Sequence, residues 1–153
     1  MACPFFMPVE KLENGAWLHA SRLPLGRGWS GLCTAPGHED ETPSLDDLQQ
    51  FCNLGYAEGC ERLPKDRKWD SIRFGARTLA GDKQNSTASR IQVRYVCERD
   101  HRPADHGMIE FDAAANRWDQ RHHDHRLQRM AECFVESYVE KRKRQGTTTA
   151  VAS

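Results

Sequence analysis

Four of the six cysteines, Cys3, Cys33, Cys52 and Cys60, fall within the first 60 residues, in a stretch punctuated by Gly and Pro that shows neither helical nor alternating periodicity from Cys3 to Gly37. Ordering such a segment costs backbone entropy with few ladder hydrogen bonds in return. Trp17, Leu18, Leu23, Leu25, Trp29 and Leu32 are nonetheless too apolar for a disordered tract. A metal ligated at both ends of the segment would supply the missing free energy, because ligation and folding are coupled.

Met1 to Val9 carries a short apolar run with no preceding charge and no small-residue cleavage site, so it does not read as a secretory signal, and a cytosolic chain is expected. In that compartment disulfides are rare, and a cysteine cluster in a loop-rich segment more often ligates metal or does redox chemistry. No apolar run approaches the roughly 20 residues a membrane-spanning helix needs, so no membrane association is expected. The sequence also lacks a phosphate loop, a dinucleotide-binding glycine fingerprint and a nucleophile elbow.

Cys3, Cys33, Cys52 and Cys60 are the candidate metal ligands, separated by 29, 18 and 7 intervening residues. No C-x2-C pair occurs, which counts against the paired turns of structural zinc sites and against the bacterial ferredoxin run. Three features favour an iron-sulfur cluster. Pro4 follows Cys3 and directs the chain away. Gly31, Gly55 and Gly59 lie near three of the cysteines, where missing side chains let backbone N–H groups approach sulfur. Trp17, Trp29, Phe5, Phe6, Phe51 and Tyr56 can form an apolar shell. The expected cofactor is a [4Fe-4S]-type cluster, with zinc as the alternative. Cys97 shares a strand face with Val93 and Tyr95 and reads as core, whereas Cys133 lies off the apolar stripe of its helix and receives no role.

The net charge of zero hides an asymmetry: residues 1–60 carry a net −5, residues 61–102 a net +5, and the rest balances. Arg73, Arg90 and Arg94 should share the sheet face opposite Ile91 and Val93. Their expected uses, in order, are docking of the acidic half with electrostatic support of an anionic cluster, cross-strand pairing with Glu110 and Asp112, and contact with nucleic acid phosphates. Five of the seven histidines fall between His101 and His125, but no H-E-x-x-H motif is present, and a solvated helix start is the plainer reading. His19 and His38 flank the cysteine region as possible substitute ligands.

Ser44 should cap a short helix that presents Cys52 from its last turn and ends at Gly55. Alternation at Ile72 and Phe74, at Ile91 to Cys97, and at Ile109 and Phe111 predicts an antiparallel meander joined by loops at 81–89 and 102–107. A helix from about His123 to Arg144, with Leu127, Met130, Ala131, Phe134 and Tyr138 as its stripe, should cover the sheet. The expected fold is α+β: an irregular cysteine-rich half (1–62) with one short helix, then a three-stranded antiparallel sheet under a long C-terminal helix (63–145). Together these make one metal-binding domain, with a disordered tail at 146–153. The function this implies is one-electron transfer or redox sensing with a protein redox partner. The alternative is a zinc-stabilised module offering a basic sheet face to nucleic acid or an acidic protein. An enzyme built on the His101 to His125 cluster is a third possibility.

Overall fold

The computed structural model describes residues 2–12, 23–55, 59–79 and 90–152, with side chains through 143. Trp17, Leu18, His19, Tyr56 and the expected loop at 81–89 lie outside these residues. The architecture is α+β with two antiparallel sheets, one of two strands and one of four.

The cysteine-rich half is more regular than its sequence suggests. Strand β1 (Phe6–Lys11) pairs antiparallel with β2 (Trp29–Cys33), in a register that sets Phe6 opposite Cys33 and Pro8 opposite Gly31. Pro8 lacks an N–H but is tolerated because both strands of a two-stranded sheet are edges, and the register shifts just after it, between Pro8 and Glu10. Gly31 is required by close approach: a Cβ there would fall well inside contact distance of the Met7 carbonyl and the Phe6 ring. We expect Gly31→Ala to force the two strands apart and to destabilise the fold by about 3 kcal/mol, at the upper end for overpacking. The loss is read as a lower urea midpoint at unchanged slope, and an unchanged midpoint would contradict the tight β1–β2 contact.

Helix α1 (Leu45–Asp47) starts as expected, with the Ser44 hydroxyl accepting from Asp47 N–H at 3.2 Å. It runs directly into a π-helical turn, Leu48–Cys52, and ends where Gly55 adopts φ +71° with its N–H on the Phe51 carbonyl. Leu48 is buried, but Leu45, expected on the same face, is exposed.

The larger sheet has four strands in the order β3 (Ser71–Leu79), β4 (Arg90–Arg99), β5 (Arg102–Asp112) and β6 (Arg117–Gln120), not the three expected. Strand β6 escaped notice because Trp118, which sits opposite Phe111, is its only apolar residue. Residues 102–107, expected as a loop, belong to β5. The turn is instead Asp100-His101, both at positive φ, as a two-residue hairpin connection requires. The Asp70 carboxylate accepts the Asp100 N–H at 2.7 Å and fixes that turn.

Helix α2 (His125–Ala152) begins behind Asp124, whose carboxylate accepts from the N–H groups of Arg126 and Leu127, and it continues beyond the expected end at Arg144. It buries two faces rather than one. Ala131 and Val135 pack on Ile91, Val93 and Ile109 of the sheet, and the Phe134 ring stacks on Phe74 at 5.8 Å. Leu127, Met130 and Cys133 instead join Phe6, Leu25, Trp29, Leu48 and Ile72. Cys133, expected off the apolar stripe and given no role, is buried in this second core, and Cys97 is core as expected. Among the described residues, no helix is long and apolar enough to cross a membrane.

Candidate metal centre

The four cysteines reach one pocket from four separate segments. Cys3, Cys33, Cys52 and Cys60 line it together, with Phe5, Phe6, Ala35, Pro43, Phe51 and Leu63 as apolar wall and Arg62 at its edge. Each segment has its own anchor. Ala2 pairs with Ile72 at the free edge of β3 through hydrogen bonds of 2.6 and 2.9 Å, which fixes the start of the chain and Cys3 behind it. Cys3 then enters a turn closed by Phe6 N–H on the Cys3 carbonyl, with Pro4 at its first corner, where a fixed φ suits the turn. Cys33 ends β2 and is bridged to Glu41, donating to its carbonyl at 2.9 Å. Cys52 closes the π-helical turn, a distortion frequent at functional sites. Cys60 opens a turn closed by Leu63 N–H on its carbonyl.

Two of these segments are tied directly: the Cys3 N–H donates to the Cys52 carbonyl at 3.2 Å. Below them, Asn53 is almost fully buried and joins the helix to β2. Its side chain accepts from Trp29 N–H at 3.0 Å and donates to the carbonyls of Trp29 and Leu48 at 3.0 and 2.9 Å. Sequence reasoning passed over Asn53. A polar residue placed directly after the last turn of a helix with a buried face is the signal that marked it.

Burial sets the thiol chemistry. Desolvation pushes Cys3 up to about 11, opposed by the N–H groups of Phe5 and Phe6, with the charges of Cys33 and Cys60 adding to the rise. Cys52 is raised further, first by burial and then by Cys3, Cys60 and Cys33. The sulfurs thus lie within electrostatic reach of one another, and four bare thiolates there would repel. The Ala35 N–H points at Cys33 Sγ at 3.5 Å. Donors to sulfur therefore come from Phe5, Phe6 and Ala35, whereas Gly31 and Gly55 are explained by strand packing and by a left-handed helix end. Among the described residues, no three His, Cys, Asp or Glu side chains lie close enough together to hold one metal ion.

At the mouth of the pocket, Arg62 donates from Nε to Glu41 at 2.8 Å and from Nη1 to Asp47 at 3.0 Å, and His38 Nδ1 lies 3.0 Å from the same Glu41 carboxylate. Arg62 holds both carboxyls below their usual range and is itself held charged by them. His38 faces this network rather than the interior of the pocket.

Arg73, Arg90 and Arg94 do not line the pocket. All three are exposed on the sheet, where Arg73 lies 3.4 Å from Glu98, Arg90 lies 3.8 Å from Asp119, and Arg94 stands opposite Gly75 and Met108. Arg73 and Arg90 thus pair within the sheet with Glu98 and Asp119 rather than with the expected Glu110 and Asp112, although Arg90 does stand opposite Asp112 in the strand register. The arginine that meets the acidic half is Arg62. Farther off, His122 packs edge-on against Tyr95 at 4.9 Å, stacks with His123 at 4.4 Å, and accepts the Asp124 N–H on Nδ1. Burial lowers its pKa, favouring the neutral ring. Comparison of the chain with protein-family models, with curated proteins and with solved structures finds no match to any of them.

Proposed function

We propose that this chain is a small iron-sulfur protein in which Cys3, Cys33, Cys52 and Cys60 hold a [4Fe-4S]-type cluster, and that it works in cytoplasmic one-electron transfer or redox sensing with a protein redox partner. The observation that carries the reading is the convergence of four cysteines, far apart in sequence, on one apolar-walled pocket. All six cysteines are free, as the thiolate chemistry requires.

When bound, such a cluster supplies a one-electron change between two charge states. The chain's residues determine how that change is felt. Phe5, Phe6, Phe51 and Leu63 give the pocket an apolar wall, and the N–H groups of Phe5, Phe6 and Ala35 stabilise negative charge on Cys3 and Cys33. Cys3 and Cys52 must lose their protons on ligation, so assembly releases protons and is favoured by rising pH. A cluster with four cysteine ligands leaves no iron position open to a substrate, which favours electron transfer or sensing over substrate chemistry.

The test is iron, acid-labile sulfide and visible absorption of protein purified without oxygen. The expected result is a brown protein with iron and sulfide in equal amounts and a broad visible shoulder. A colourless protein with one zinc per chain would overturn the cluster. It would transfer the argument to the second reading, a zinc-held module whose uncovered sheet face presents Arg73, Arg90 and Arg94 to nucleic acid or an acidic protein, which their exposure supports.

A further inference from the structure

The polar network at the pocket mouth does more than decorate a surface, because its members belong to three of the four cysteine-bearing segments. Arg62 is two residues beyond Cys60, in the turn that Cys60 opens. Glu41 is the bridge partner of Cys33, exchanging the Cys33 N–H for its own carbonyl, and Asp40 N–H returns a bond to the Cys33 carbonyl at 3.0 Å. Asp47 belongs to the helix that ends at Cys52. One guanidinium therefore joins the Cys33 loop to the Cys60 turn through Nε and the Cys52 helix to the same turn through Nη1. The fourth segment is attached separately, by the Cys3 to Cys52 backbone bond.

Arg62 also borders the pocket that the sulfurs line. A [4Fe-4S] cluster with four thiolate ligands carries about −2 in its oxidised form, and the guanidinium is the only cationic group among the described lining residues. A planar, permanently charged fork can hold two carboxylates at fixed angles while turning its remaining surface toward that charge. Lysine, a point charge on a flexible stem, cannot hold both arms at once.

Resting on the iron-sulfur reading, we infer that Arg62 is a positioning residue of the metal centre, clipping the Cys33, Cys52 and Cys60 segments into one geometry and placing a positive charge that stabilises the reduced cluster. The two roles separate by substitution. In Arg62→Met both are lost. Loss of the cluster to a chelator should be about tenfold faster, the low end of what removing an outer partner of a metal ligand costs, and the reduction potential should move to a more negative value. In Arg62→Lys the potential should return toward that of the unchanged protein while chelator resistance recovers only in part.

The experiment measures the rate of bleaching by a chelator and the potential by spectroelectrochemistry, on the full chain reconstituted with iron and sulfide. If Arg62→Met does not fold, Glu41→Gln, which weakens one arm and leaves the guanidinium, replaces it, with faster bleaching expected. Equal bleaching rates and equal potentials in the unchanged and Arg62→Met proteins would overturn the role of Arg62 while leaving the cluster in place. An unchanged protein that takes up no iron and sulfide would overturn the metal reading and this inference together, so the two failures are distinguishable.

Discussion

Cys52→Ser is expected to abolish iron and sulfide uptake, lowering the metal content by more than about 100-fold at a given iron concentration. Removing an outer partner of a ligand costs 10–100-fold, and here the ligand itself is lost, from the segment with the most ties to the rest of the centre. The Cys52 carbonyl receives the Cys3 N–H, and Asp47 on the same helix receives Arg62. Serine keeps the size of the side chain, so packing changes little, but its hydroxyl does not ionise near neutral pH. The control is Cys133→Ala. Cys133 is fully buried, but between Leu127, Met130 and the N-terminal core and away from the pocket. That change should leave a small cavity costing about 1–2 kcal/mol and no loss of metal. Metal analysis of both variants decides the matter: a Cys52→Ser protein with unchanged iron and sulfide would remove Cys52 from the ligand set.

The sequence displays the cysteine centre more clearly than the fold that builds it. Four thiols in one irregular segment point to shared chemistry by residue type alone, and the structure does bring them to one pocket. What could not be read was how the segment is ordered. Pro8, Gly28 and Gly31 look like breakers when the chain is scanned for periodicity, yet Pro8 lies in an edge strand and Gly31 supplies the space that lets β1 and β2 approach. Likewise the β4–β5 turn was misplaced because it depends on Asp100 and His101 entering the left-handed region, a cost met by the Asp70 carboxylate some 30 residues earlier. Local pattern contains no trace of that bond.

Charge was legible in sum but not in its pairings. An acidic N-terminal half facing a basic following segment does predict contact between them, and Arg62 with Glu41 and Asp47 is that contact. Arg73, Arg90 and Arg94 drew attention because period two places them on one face, but period two says nothing about distance to Cys3. Arg62 sits in a turn, where no period applies, and its closeness to Cys60 in sequence was the available clue. The apolar stripe of α2 was read as a single face because the helix was given only the sheet to cover. The two-stranded sheet supplies a second surface, and Cys133 turns toward it.

Asn53→Ala carries the largest expected loss of stability, because Asn53 connects the two structures that hold Cys33 and Cys52. Its amide satisfies both the N–H and the carbonyl of Trp29 and the carbonyl of Leu48 at 2.9–3.0 Å, with almost no exposure to water. Alanine leaves the Trp29 N–H and carbonyl buried and without that partner, while the Leu48 carbonyl keeps only the backbone N–H of residue 53, at about 1–3 kcal/mol for each group that water cannot reach. Water entering the vacated space would recover part of this, so a total of about 3–5 kcal/mol is expected, a large share of the 5–15 kcal/mol that holds typical domains folded. Chemical denaturation of the metal-free protein reads that loss without contribution from a cofactor. The consequence for the centre follows from position. Trp29 begins β2 and Cys33 ends it, while Leu48 begins the turn that Cys52 closes. If the two ligand segments are oriented by Asn53, the variant should bind iron and sulfide more weakly even at temperatures where it remains folded, and Asn53→Asp, which keeps the acceptor for Trp29 N–H but loses the donor, should not restore it. A variant with wild-type stability and wild-type metal retention would show that β2 and the cysteine-bearing helix are aligned by apolar packing around Trp29 and Leu48 alone.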